Sequence, residues 1–324
     1  MAGMTRRRRQ GPILPRAIDA AHAGELERAR ELLQQALLED PGNQFAQLWL
    51  DRVLERSRDT VLPAEEAAAP SRIATPRALA VVAVAALVMV TVAELLTTWS
   101  DPRLGMALHG LVLVGLFIAS TQTRWREAWV FVLSLAFAPL IRILSLSLPL
   151  THFPILYWYL ITSVPLFAAA WVAKRSLGYS WRGLGLTLRG WPLQIVVGLS
   201  GLVFGAAEYF ILRPEPLAPE LSWQATLLPA LILFVCTGLL EELIFRGLLQ
   251  RAAGDTLGRW AVPYVALLFA VLHVGYQSII DVVFVLDVGL IFGWVVERTR
   301  SLLGVTLAHG LTNTMLFLVM PFVT

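Results

Sequence analysis

The sequence predicts an all-α protein, a polytopic transmembrane helical bundle of about eight to nine spans behind a small helical N-terminal extension. Three observations carry this. Of the 324 residues, 57% are hydrophobic and 15% charged, with a mean hydropathy of +0.67, against about 45–50% apolar and about 25% charged in soluble domains. From residue 78 the chain alternates apolar blocks with short polar loops, and the blocks match the roughly 17–25 helical residues needed to cross about 30 Å of hydrocarbon. The basic residues sort to alternate loops, so the net charge of +3 reflects membrane sidedness and makes no case for nucleic-acid binding. The single cysteine, Cys236, lies in an apolar run, which excludes an intrachain disulfide.

Taken from the N-terminus, the first feature is the basic run Arg6 to Arg9. No apolar stretch follows it, so it reads as a cytoplasmic or lipid-headgroup charge and not as a cleavable signal peptide. Residues 23–37 then place Leu26, Ala29, Leu33, Ala36 and Leu37 on one helical stripe, Pro41 and Gly42 break the chain, and a second helical run covers 44–56. This resembles a single tetratricopeptide-type helix pair. One such pair cannot stack into a solenoid, so it is expected to pack on the membrane domain, to dimerise, or to stand as a surface hairpin that recruits a protein partner. Residues 1–60 are thus a cytoplasmic helical-hairpin segment, 61–77, with Pro63, Pro70 and Pro76, a linker, and 78–324 the transmembrane domain.

Spans are expected near 78–99, 104–120, 129–149, 155–173, 191–212, 226–250, 260–275, 279–297 and 302–321, the seventh and eighth interrupted by Gly275, Asp281 and Asp287. With the Arg-rich N-terminus inside, the cytoplasmic loops carry Arg124, Arg126, Lys174, Arg175, Arg182, Arg189, Arg251, Arg259, Arg298 and Arg300, while the opposite loops carry only Arg103 and Arg213. That asymmetry puts the N-terminus in the cytoplasm and the C-terminus on the other side of a cell membrane. Trp99, Trp129, Trp171, Trp191, Trp223 and Trp260 sit near span ends, where indole straddles the interface.

Ionisable residues within hydrocarbon cost about 2.5–3.5 kcal/mol each on insertion scales, so a cluster of them asks for a function. The densest lies in the last hundred residues: Glu241, Glu242 and Arg246 on one helix, Phe269 and His273 on the next, His309 and Asn313 on the last. Glu242 and Arg246 are i,i+4 and can pair, which offsets the burial of each. Glu241 is about 140° around the helix from Arg246 and is the carboxylate left free. His309 and Asn313 again share a face, as do Phe269 and His273. Counted along the helices from the cytoplasmic loops, Glu241, His273 and His309 lie roughly 10–20 Å deep. A free carboxylate, two imidazoles and an amide are the parts needed to activate water and stabilise an oxyanion. Glu94, His109, Arg142, Glu208, Asp281 and Asp287 stand apart in sequence and read as cavity lining or interhelical bonding.

The order Glu-Glu-x-x-x-Arg, Phe-x-x-x-His, His-x-x-x-Asn on successive membrane helices resembles the CAAX-protease and bacteriocin-processing (CPBP, or Abi) family. That family includes type II CAAX prenyl endopeptidases and lysostaphin-resistance-type proteins. The resemblance covers roughly residues 155–324, including the Leu184-Gly185-Leu186 loop, and excludes the first two spans and the N-terminal pair. It implies an intramembrane endopeptidase with Glu241, His273, His309 and Asn313 as catalytic positions and Glu242, Arg246 and Phe269 in support. Glu241 and His273 would activate water, and His309 and Asn313 would stabilise the oxyanion. The substrate implied is a membrane-associated peptide or protein, prenylated or bearing a leader peptide. Glu241, His273 and His309 also compose a zinc-type ligand set, although no His-Glu-x-x-His pair sits on one helix. Two other classes compete. A transporter would use the same buried polar groups as a relay, but it predicts internal repeats, and none shows between the halves. A non-catalytic membrane adaptor would not require the intact motif set.

Overall fold

The structure, a computed structural model, describes residues 13–61, 76–122 and 128–324. The Arg6 to Arg9 run, residues 62–75 of the linker, Arg124 and Arg126 lie outside the described residues. Every regular element among the described residues is helical, and the chain divides into two compact units.

The first unit joins the N-terminal residues to segment 174–183. Its helices are α1 (Ile13–His22), α2 (Leu26–Glu39) and α3 (Gln44–Val61). The α2 stripe forms as the spacing predicts, with Ala29, Leu33 and Ala36 buried. α2 starts at Leu26 and not at residue 23, because Gly24 at φ +79° turns the chain first. The Asn43 side chain accepts from the Ala46 amide at 3.0 Å and caps α3. α1 is an addition to the expected pair. Its Ala17, Ile18, Ala20 and Ala21 are buried, so the hairpin gains the third surface that it could not supply alone. Segment 174–183 completes this small core: Ser180 donates to Asp19, and Tyr179 is buried beside His22. Gly178, at φ +70°, passes so close to Phe45 that a Cβ would lie 2.4 Å from its ring.

The second unit holds eight helical runs long and apolar enough to cross a membrane. They are α4 (Leu79–Trp99), α5 (Pro102–Ser120), α6 (Trp129–Ser147), α7 (Ile155–Ser176), α8 (Trp191–Leu212), a long run Trp223–Tyr276, α11 (Ile279–Thr299) and α12 (Leu303–Val323). The sixth and seventh expected spans fall together in the long run. It is nevertheless not one rod. Phe245 and Phe269 would stand about 36 Å apart along a continuous helix, yet their ring centroids are 4.8 Å apart. The chain reverses at Gly258, whose φ of +55° and ψ of −126° leave helical space, into two arms, α9 (223–257) and α10 (Ala261–Val271).

Position in the bundle follows composition. Large apolar side chains such as Val81, Leu111, Val164 and Val203 point outward on the peripheral helices, whereas the long run and α12 are more buried than the other helices. α8 packs along α12 through Gly198, Gly201 and Gly205; a Cβ on Gly201 would meet the Ala308 carbonyl oxygen at 2.1 Å. Small residues at one face let two backbones approach this closely. α9 is widened into π-turns at Phe234–Leu239 and Leu243–Leu249, on either side of Leu240–Glu242. Glu94, His109 and Arg142 gather into one buried cluster across α4, α5 and α6, with Glu94 Oε1 3.1 Å from His109 and 2.6 Å from Arg142. They are interhelical glue, as their isolation in sequence suggests.

Candidate active site

Phe269 is the hub around which the charged groups are arranged. Its ring lies 4.8 Å from Phe245, 4.7 Å from His273 and 6.1 Å from His309. Across its face sits the Arg246 guanidinium, 4.5 Å from the centroid. This desolvated cation–π contact, with a second from Phe292 at 5.9 Å, helps carry a charge that is 1% exposed. Arg246 also pairs with Glu242 at 3.0 Å, as the i,i+4 spacing predicts, and Glu242 is fully buried.

Glu242 has a second partner. His309 Nδ1 lies 2.9 Å from the same Glu242 oxygen, and its Nε2 is 3.9 Å from Glu241. The imidazole therefore bridges two adjacent carboxylates, one locked by Arg246 and one 30% exposed. A carboxylate only accepts, so Nδ1 carries the hydrogen and points Nε2 toward Glu241.

Two further groups are oriented in the same way. His273, just past the end of α10, donates from Nδ1 to the Phe269 carbonyl at 2.9 Å, since a carbonyl can only accept. Its Nε2 is left as the acceptor. The Thr237 hydroxyl hydrogen goes to the Leu233 carbonyl, so Thr237 Oγ1 must accept from Asn313, at 2.7 Å. That fixes the Asn313 amide, whose second N–H and oxygen have no partner among the described residues.

Glu242, His273, His309 and Asn313 all line one half-open cavity, with about 400 Å³ free of protein atoms. Phe269 and Phe292 are among its apolar walls. Glu241 does not line it; it is reached through His309. The sequence motifs thus converge, but the two glutamates meet the cavity unequally.

Sequence reasoning read Glu208 as cavity lining or interhelical bonding, and the structure puts it in the wall of this cavity. A signal for it existed: Gly198, Gly201, Gly205 and Glu208 recur at spacings of three and four, so the small-residue face of α8 leads to it. Tyr159 and Tyr276, which interact through their hydroxyls near Glu241, carried no such pattern. Asp281 is fully buried, with neither carboxylate oxygen hydrogen-bonded, whereas Asp287 is exposed.

Among the described residues no three His, Cys, Asp or Glu side chains converge so as to hold a metal ion. His309 Nδ1 rests on Glu242 and His273 Nδ1 on a carbonyl, which leaves Nε2 of each ring open as in a metal-binding histidine, but Glu241, His273 and His309 are not gathered around one point.

Residues 222–315 match the family model for Rce1-like proteins, described as type II CAAX prenyl endopeptidase Rce1-like. The match takes in all three motifs, from Glu241 to Asn313, over a shorter stretch than 155–324. It does not reach the N-terminal helix pair. No curated protein and no solved structure matches the chain.

Proposed function

We propose that the membrane domain is an intramembrane endopeptidase that hydrolyses a peptide bond of a membrane-associated substrate, prenylated or carrying a leader peptide. One observation carries the reading: His309 is held between Glu241 and Glu242 at a cavity that also presents His273 Nε2 and the Asn313 amide. The Rce1-like match over the same residues supports it.

The chain's own groups supply each proton transfer. Glu241 takes a proton from water through His309 Nε2, with His273 Nε2 as the second acceptor, as the water attacks the scissile carbonyl. His309 keeps Nδ1–H on Glu242; when its Nε2 is also protonated, the flanking carboxylates balance the charge and Nε2–H donates to the oxyanion. Asn313 supplies its spare N–H to the same oxygen, held in place by Thr237. Glu242, Arg246 and Phe269 position His309.

The test compares wild type with Glu241→Ala in cells, reading new protein N- and C-termini by mass spectrometry. Purified protein in nanodiscs is assayed beside it on a quenched S-farnesyl peptide. Fragments and peptide cleavage are expected only with wild type. Identical fragment profiles together with an inert purified protein would favour the adaptor or transporter reading.

A further inference from the structure

We infer that Glu208 is a further catalytic residue of this cavity, the acid that protonates the leaving amine; this rests on the endopeptidase reading. α8 brings Glu208 to the site through its glycine face. Gly201 accepts from the Thr312 hydroxyl at 3.3 Å, and a Cβ on Gly205 would lie 2.3 Å from the Thr312 carbonyl oxygen. One turn on, Glu208 is 7% exposed and lines the cavity with Glu242, His273, His309 and Asn313.

Among the polar groups that line the cavity, Glu208 is set apart by its lack of partners. Glu242 is engaged by Arg246 and His309, Asn313 by Thr237, and His273 Nδ1 by the Phe269 carbonyl. Glu208 makes no hydrogen bond or ion pair among the described residues. Its electrostatic neighbours are Asp281, His309 and Glu241. The buried Glu94, by contrast, is paired with His109 and Arg142. An ionised carboxylate without a partner is costly in such a wall, so Glu208 enters the cycle as the neutral acid.

The reaction needs such a group. After water attack, the C–N bond breaks only as nitrogen gains a proton, because an amide anion is a very poor leaving group. The Glu208 O–H bond breaks, N–H forms, and the C–N electron pair goes to nitrogen. Glu208 is left as a carboxylate. The proton taken from water then returns to it through Glu241 and His309, its neighbours, and the cycle closes with one water consumed.

The experiment uses full-length protein in nanodiscs and two quenched S-farnesyl peptides, identical except that the scissile amide of one is a thioester in the other. A thiolate, from a thiol of pKa about 8.5, leaves without a proton. Glu208→Gln is expected to lower amide turnover by about 100-fold or more and to leave thioester turnover within about a factor of five of wild type. Equal losses on both substrates, or an unchanged amide rate, would overturn the inference. If Glu208→Gln folds poorly, Glu208→Asp and Glu208→Asn, matched in size, are compared instead, with only Asp expected to recover amide cleavage. Wild type inert on both peptides would overturn the endopeptidase reading itself, and this inference with it.

Discussion

Glu241 and Glu242 are neighbours in the chain with opposite surroundings, and their variants should fail differently. Glu242→Gln leaves Arg246 buried without its counter-ion, and breaking such a pair costs about 3–5 kcal/mol. It also loosens His309, whose Nδ1 rests on the same oxygen. That variant should melt lower in detergent and be slow as well. Glu241→Gln keeps the volume of a 30% exposed side chain, so its melting temperature should hold while peptide cleavage is abolished. If Glu241→Gln stays active and Glu242→Gln is folded but inert, Glu242 is the base. Thr237→Val is a milder probe: it keeps shape and removes the acceptor that fixes Asn313. A drop of about tenfold in kcat with little change in KM is expected, less than the 10²–10³ lost when an oxyanion donor is deleted. A matching rise in KM would make Thr237 a binding residue. The Glu242–Arg246 pair was readable in the sequence because both ends lie one helical turn apart. The Glu242–His309 contact joins residues 67 apart, and no local period reports such a meeting.

Helix spacing also shows where sequence reasoning stops. Apolar length located the crossing segments, but the long run Trp223–Tyr276 joined two of them, because the polar residues between them stay helical up to the break at Gly258. The π-turns flanking Leu240–Glu242 left no pattern in the sequence, since any helix-forming residues can adopt them. The glycine face of α8, by contrast, was written out at helical spacing. Its role gives a prediction with an internal control. Gly201→Ala would set a methyl 2.1 Å from the Ala308 carbonyl oxygen, backbone that cannot swing aside. It should cost about 1–3 kcal/mol, the range for overpacking, and lower turnover by moving α8 and Glu208 off α12. Gly110→Ala in α5 meets nothing within 4 Å, so it should gain about 0.5–1 kcal/mol of helix propensity. Melting temperatures of both in one detergent decide the matter; equal shifts would mean that the close approach is not needed.

Two units divide the labour of the chain. None of the proposed catalytic groups lies in the first, so protein lacking residues 1–72 should still cleave the S-farnesyl peptide at close to the wild-type kcat, although it should express less well because segment 174–183 loses its packing partners. Loss of turnover in a folded, truncated protein would give the head a part in catalysis. Topology is the remaining whole-chain question, and it turns on the long run. If that run counted once, eight crossings would return both termini to one side. Counted as two arms it gives nine, and the termini part. The charges favour nine. Arg251 and Arg259 precede the hairpin formed by residues 261–276 and α11, and Arg298 and Arg300 follow it, so both of its ends belong on the cytoplasmic side. The hairpin therefore contributes two crossings or none, and the side of Thr324 does not depend on how deep it reaches. Cys236 is buried and is the only native cysteine, so a Cys236→Ala background is silent. On it, Ser100→Cys and Thr324→Cys should react with an impermeant maleimide in intact cells, while Glu25→Cys and Gln122→Cys should need lysis. All four positions are exposed. Labelling of Thr324→Cys only after lysis would show that the arms around Gly258 do not both reach the cytoplasmic face, and would also move His309 and Glu241 to a different depth from the one argued above.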